Sequence, residues 1–337
     1  MTWFKRTLLI IGIILTLLIA AGTSYGYYVY QQAETTVEEM NTSFEEHDDE
    51  FEENGLPDSE NNHTNRNEEN DDDISDNQSE FALDEEPVTF LLTGIGDRPN
   101  DPGRADVIMA VSVNPKTDST LMFNIPRDTL IEESAVVDSL RGQKINHTYA
   151  TEGINGLQTT VENYLDHEFD FTIKANMNGF REIVDEIGPI EVNNDFAFSE
   201  SDEVNDQTYD YDEGLIELDG ERALHYVRMR KEDPRGDLGR NERQHQVMEA
   251  LIEEGMSLQS LFQAGSIIEI LGDNIETNMT FDEMQGVFNH HRSAAGNIET
   301  FELRGENEYQ NGTYYYIISE EERERAGEEL KRHQEGA

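Results

Sequence analysis

Residues 88–113 read VTFLLTGIGDRPNDPGRADVIMAVSV. Two apolar runs of strand length stand in this stretch, Val88–Thr93 (VTFLLT) and Asp106–Val113 (DVIMAVSV), separated by a polar segment rich in Gly, Asp and Pro. Neither run alternates apolar with polar residues, which is the pattern of strands buried on both faces. Such strands need a covering layer on each side, so the stretch predicts a sheet enclosed by helices.

The chain beyond it continues the pattern. Leu121–Ile125 reads as a third strand, Ile154–Leu165 as a helix, Phe169–Ala175 as a strand and Asn178–Ile187 as a helix broken by Gly188-Pro189. Ile190–Val192 is a short strand, and Asp219 is placed to cap a helix over Gly220–Val227. Leu238–Glu253 reads as a helix with Val247, Met248, Leu251 and Ile252 as its apolar stripe. Helices follow at Ser266–Leu271 and Phe281–His290, and closing strands at Phe301–Leu303 and Thr313–Ile318. The expected fold is α/β, a three-layer α-β-α sandwich with a central mixed sheet, spanning residues 87–318, and residues 319–337 read as a charged C-terminal tail.

Upstream, Leu8–Tyr30 is uncharged and mostly apolar, and about 20 such residues cross a bilayer. Lys5 and Arg6 precede the run and acidic residues follow it, which orients residues 1–7 to the cytoplasm and the bulk of the chain outside. Tyr25, Tyr27, Tyr28 and Tyr30 fall at the outer interface. The reading is a single-pass type II membrane anchor over 8–30; a cleaved signal peptide is the alternative. Residues 31–86 hold 22 Asp or Glu against a single Arg66 and few large apolar side chains, so they read as an acidic disordered linker.

The formal net charge is -49 over 337 residues, and most of the excess falls on the folded part rather than on the linker. An acidic folded domain suggests adaptation to high salt, which screens self-repulsion. The same charge argues against nucleic acid as a partner. There is no cysteine, hence no disulfide and no thiolate site. The histidines form no HxxxH or HxH pair, which argues against a histidine-based zinc site.

Against this acidity, YVRMRKEDPRGDLGRNERQHQ (226–246) gathers Arg228, Arg230, Arg235, Arg240 and Arg243 within sixteen residues. Guanidinium forks suit phosphate oxygens. Arg228 and Arg230 are two apart and point the same way in an extended stretch. Arg240 and Gln244 share a helix face at i, i+4. Together they would supply enough donors for a pyrophosphate; the alternative is ordinary pairing with Glu232, Asp233, Asp237 and Glu242 on a solvated surface. Asp106 opens a buried strand and reads as an oxygen ligand for Mg²⁺ or as a strand-end hydrogen-bonding carboxylate. Asp97, ending the preceding strand, reads as a second ligand or a turn residue. Arg127 follows a strand end, where α/β sheets collect ligands. Lys144 adds a cation.

LLTGIGDR (91–98), GRADVIM (103–109), NPKT (114–117), NIPRDT (124–129), KINHTYA (144–150) and LDGERALHYVRMRKEDPRGDLGRNERQ (218–244), with the N-terminal anchor, resemble the LytR-CpsA-Psr family of cell-envelope phosphotransferases. The resemblance implies an extracellular α/β domain with a long apolar pocket for a polyprenyl chain. It implies transfer of a phosphate-linked glycopolymer, such as wall teichoic acid, from undecaprenyl pyrophosphate to peptidoglycan. By motif matching, Arg127, Lys144, Arg228, Arg230, Arg240 and Gln244 would hold the pyrophosphate. Asp106 would bind Mg²⁺ (or Mn²⁺), and Asp237 would complete the site as base or structural partner. The chain departs from the pattern at Gly96, where many members carry Asp; Asp97 lies one residue on. Two competing readings use the same features: a polyprenyl-pyrophosphate hydrolase and a non-enzymatic membrane-bound envelope regulator.

Overall fold

A computed structural model describes residues 23–41, 44, 86–96, 103–131, 142–202, 207–255 and 263–336. In chain order these hold α1 (23–41), β1 (Val88–Gly96), β2 (Arg104–Asn114), β3 (Ser119–Asn124), a 3-10 turn (Ile145–His147), α2 (Thr148–Leu165), β4 (Phe171–Asn176) and α3 (Met177–Ile187). Next come β5 (Ile190–Asn194), β6 (Phe198–Asp202), β7 (Gln207–Tyr211), β8 (Gly214–Leu218), α4 (Gly220–Arg228) and α5 (Asp237–Gly255). The chain closes with α6 (Ala264–Asn274), β9 (Ile275–Thr277), α7 (Phe281–His291), β10 (Ile298–Thr300), β11 (Glu306–Gln310), β12 (Thr313–Ile317) and α8 (Glu320–Glu335).

The expected mixed sheet is present. Six strands run in the order β10-β3-β2-β1-β4-β9. β1 pairs antiparallel with β2 and parallel with β4. Both faces are covered. Leu91, Ile108 and Phe123 pack against Ile154, Leu157 and Val161 of α2 and Leu330 of α8. On the other face Phe90, Met109 and Met122 meet Met248 and Ile252 of α5 and Val287 of α7. This is why β1 and β2 read as continuous apolar runs: each residue has a hydrophobic layer to enter, at roughly 2 kcal/mol for each large side chain buried. A third core joins α3, α4, the paired strands β5 and β8 and the β6–β7 hairpin around Tyr211 and Tyr226.

Most predicted elements lie where expected, and Asp219 does cap α4, accepting from the backbone N–H of Arg222 at 2.8 Å. The helix expected from Ile154 begins at Thr148 instead, and a kink at Gly153 (φ +69°) divides it, so the sequence pattern marked only its second half. The strand expected at Phe301–Leu303 stands at Ile298–Thr300, pairing with β3; Phe301 and Leu303 are core residues of the irregular segment that follows.

Two boundaries move. The segment read as a charged tail contains α8, capped by Ser319, with Ala326 and Leu330 fully buried in the main core. The acidic linker does not begin at residue 31: α1 runs to 41 with Val37 and Met40 buried, and Phe44 enters the main core. Asn41 Nδ2 donates to the carbonyl of Thr277 at 3.3 Å, and Tyr30 meets Phe281 edge to face. Residues 1–22 and 45–85, which hold most of the expected anchor and linker, lie outside the described residues. No helix among the described residues is long and apolar enough to cross a membrane.

Candidate functional site

The site sits at the end of the sheet where β1 stops, β2 starts and β3 runs into Ile125-Pro126-Arg127-Asp128. Register along β1 and β2 slips between Gly94, opposite Val107, and Ile95, opposite Ala105. Asp106 is the extra residue of this β-bulge, and bulges re-aim the side chains they carry. Its carboxylate accepts from Arg127 Nη1 at the edge of a polar pocket of about 530 Å³. A Cβ on Gly96 would lie 2.5 Å from Asp106 Oδ2. The missing side chain at position 96 is thus the space that the Asp106 carboxylate fills.

Asp128, which the sequence reading did not single out, is the hub of the pocket. It is 4% exposed. Lys144 Nζ lies 2.6 Å from its Oδ1, and Arg230 Nη1 lies 3.3 Å from its Oδ2. A buried carboxylate is costly unless paired, and here two cations from distant segments meet it. The backbone explains the meeting. Leu130 and Lys144 form an antiparallel bridge, Ile145 N donates to the Thr129 carbonyl at 2.8 Å, and Asn146 N donates to that of Arg127 at 3.2 Å. The IPRDT and KINH motifs are therefore two sides of one clamp. The rings of Tyr314 and Tyr315 stand 5.8 Å from Lys144 Nζ. Arg127 Nε and Asn146 Oδ1 are buried without a hydrogen-bond partner, and Arg127 Nε lies 3.9 Å from Asp128 Oδ2.

Arg230 is delivered by the loop between α4 and α5. Inside that loop Asp233 pairs with Arg243 of α5 at 2.6 Å, both buried. Arg243 also donates from Nη2 to the Met229 carbonyl at 2.5 Å and from Nε to that of Tyr226 at 3.2 Å. Gly239 makes room for this: a Cβ there would overlap Asp233 Oδ2. Arg243 and Asp233 thus hold the loop, and Arg235 pairs with Glu242 and, at 3.4 Å, with Asp195.

The predicted residues separate accordingly. Asp106, Arg127, Lys144 and Arg230 line one pocket, with Arg104, Asp128 and Asn146 beside them. Gln244 lies next door, accepting from Asn124 Nδ2 at 2.5 Å and donating to the Val227 carbonyl at 3.5 Å. Arg228 is exposed and Arg240 is buried in α5, and neither lines the polar pocket. Asp237 opens α5 beside pocket residues Pro234 and Gly236; its side chain is outside the described part, as is Asp97.

A second cavity, about 270 Å³ and apolar, opens between the sheet and helices α3 and α5. Leu92, Val107, Met109, Phe180, Ile183 and Leu251 line it, with Gln244 among them. An acyl or isoprenoid chain matches such a lining. The pair of cavities, one cationic and one apolar, suits an amphiphile with an anionic head.

Comparison with known proteins gives a consistent set. The LytR_cpsA_psr family matches residues 52–332. The polyisoprenyl-teichoic acid–peptidoglycan teichoic acid transferase TagU of Bacillus subtilis is 35% identical over 328 residues, 97% of this chain and 96% of that protein. The crystal structure of B. subtilis TagV is similar at TM-score 0.64 and 31% identity, covering 74% of this chain and 98% of that one. A structure of TagT bound to LIIa-WTA is similar at TM-score 0.62 and 27% identity, covering 77% and 94%.

Proposed function

The chain belongs to the LytR-CpsA-Psr family, and from that premise we propose that it transfers a phosphate-linked, wall-teichoic-acid-like polymer from a polyprenyl-pyrophosphate carrier to peptidoglycan. The observation that carries this reading is the adjacency of the two cavities, an apolar one for the chain and a cationic one for the pyrophosphate.

The chemistry follows from the pocket. A peptidoglycan sugar hydroxyl attacks the phosphorus that bears the polymer. The new O–P bond forms as the bond to the bridging oxygen breaks, and polyprenyl phosphate leaves. Arg127, Arg230 and Lys144 neutralise charge that builds on the phosphoryl and leaving-group oxygens; phosphoryl transfer rests mainly on such positioning and electrostatics. Asp237 is our candidate to accept the hydroxyl proton. Asp128 sets the directions of Lys144 and Arg230.

A divalent cation suits the donor set: one carboxylate, Asp106, at the pocket edge, with the remaining sites left to phosphate oxygens and water, as Mg²⁺ prefers. Bound there, Mg²⁺ or Mn²⁺ would supply further charge neutralisation. Gly96 offers no second carboxylate. We place the domain outside the cell, tethered by residues 8–30, because the donor is a membrane lipid and tethering raises its effective concentration.

The test gives the full chain, with Mg²⁺, a polyprenyl-pyrophosphate glycan and peptidoglycan oligomers. The expected product is a phosphodiester-linked conjugate, lost in Arg127→Ala. Release of phosphorylated glycan without coupling would make the protein a hydrolase, and a folded protein that turns over no donor would make it a regulator.

A further inference from the structure

Away from both cavities, three side chains with metal-ligand chemistry converge between β6 and α4. His225 Nε2 lies 3.4 Å from Glu221 Oε1 and 3.8 Å from Asp202 Oδ2. The ligand atoms of all three lie within 4.8 Å of one another. The histidine and aspartate side chains are only 9% and 11% exposed, and Glu221 is 33% exposed. One of the two carboxylates, Glu221, is also paired with Arg181. The separations from His225 Nε2 are near the spacing of about 3.3 Å between donor atoms around a tetrahedral ion with bonds of about 2.0 Å.

The surroundings hold the ligands in place. Glu221 and His225 are i and i+4 on α4, so they share a face. The Tyr209 ring stacks on the imidazole with centroids 4.5 Å apart, and its hydroxyl donates to Glu221 Oε1 at 3.4 Å. Arg181 pairs with the other oxygen, Oε2, at 3.3 Å. Outer partners of this kind orient ligands in metal sites.

We propose that Asp202, Glu221 and His225 form a binding site for a divalent transition-metal ion, Zn²⁺ or Mn²⁺, separate from the phosphate pocket. One imidazole nitrogen with two carboxylate oxygens suits these ions better than Mg²⁺ or Ca²⁺, which favour all-oxygen shells. Histidine spacing along the chain gives no sign of it, because the site uses one histidine and draws its third ligand from a hairpin. An ion there clips the end of β6 to α4, the helix whose C-terminal end leads into Arg230.

The experiment uses the full chain in detergent, tag removed and stripped with a chelator, titrated with Zn²⁺ in the presence of excess Mg²⁺. Saturable uptake at micromolar Zn²⁺ is expected, with a rise in Tm. His225→Ala should lose one equivalent of Zn²⁺, and Glu221→Gln should bind it at least tenfold more weakly. Circular dichroism checks folding; if His225→Ala does not fold, Glu221→Gln decides. Co²⁺ in place of Zn²⁺ should give visible d–d absorption that both variants abolish. No uptake by the folded wild-type chain, or equal stoichiometry and affinity in wild type and Glu221→Gln, would overturn the site and leave a hydrogen-bonded histidine–carboxylate cluster.

Discussion

Asp128 shows how much of the pocket turns on one carboxylate. It is buried, and Lys144 and Arg230 both converge on it. Asp128→Asn keeps the shape and removes the charge that sets those two directions. We expect transfer to fall about 10–100-fold with the fold intact, since small misplacements of catalytic groups have that effect; single-turnover rates with circular dichroism as control will show it. Arg127→Ala should cost more, roughly 10²–10³ in kcat, because it removes a donor aimed at developing charge. Gly239→Ala belongs to a different class. Its Cβ would collide with the Asp233 carboxylate and break the buried pair with Arg243, and urea denaturation should report a loss of about 3 kcal/mol. Arginine content and spacing pointed to an anionic ligand, but not to which arginines line the pocket. Arg228 and Arg230 differ by two residues, yet α4 continues through Arg228 and ends just before the pocket. The extended geometry that would align them is absent. Asp128 was hidden because an acid after an arginine in a turn has no local mark of burial.

At the scale of elements, strands buried on both faces were legible because a continuous apolar run of that length must be covered on every side. Elements stabilised from a distance were not. α8 has eleven charged residues among its sixteen (EEERERAGEELKRHQE), and its helical face shows only once Leu330 and Ala326 are seen in the core. His333 ties its end to the sheet through Ser112 at 2.8 Å and Ser119 at 3.0 Å. Leu330→Ala should therefore destabilise the whole domain by about 2–4 kcal/mol, read as a shift in the urea midpoint without a change in slope. A tail dispensable to the fold would show no shift. Of the four strands β5–β8 only β5 was read, at Ile190–Val192; β6, β7 and β8 escaped notice because each is five residues long, and β6 and β7 are mostly polar.

For the whole molecule, charge and protonation set the working conditions. Raising NaCl from 0.1 to 1 M shortens the screening length from about 10 to about 3 Å. With a net charge of -49, Tm should climb over that range, and a flat or falling profile would remove the case for a high-salt habitat. Burial pushes the His245 imidazole down to about 4, and burial lowers His167 and His333 as well. The folded state keeps these rings neutral while the unfolded chain protonates near pH 6.5. The contribution of His245 is complete above that pH and is lost as pH falls toward about 4, and His167 and His333 act in the same direction. His245→Gln should flatten this dependence by on the order of 2 kcal/mol, measured as stability at pH 7 minus stability at pH 4.5.

The bulge at Asp106 has a consequence for selectivity. Asp106 faces the cationic pocket and Val107, the next residue on the same strand, faces the apolar one. The border between the two is one peptide wide, about 3.3 Å of strand. Under the proposed function, the protein would act as a gauge that registers its substrate by the waist where oil meets phosphate. In that reading any polymer hung from a carrier with the same waist would arrive in the same register, and the choice of cargo would fall to whatever loads the carrier upstream.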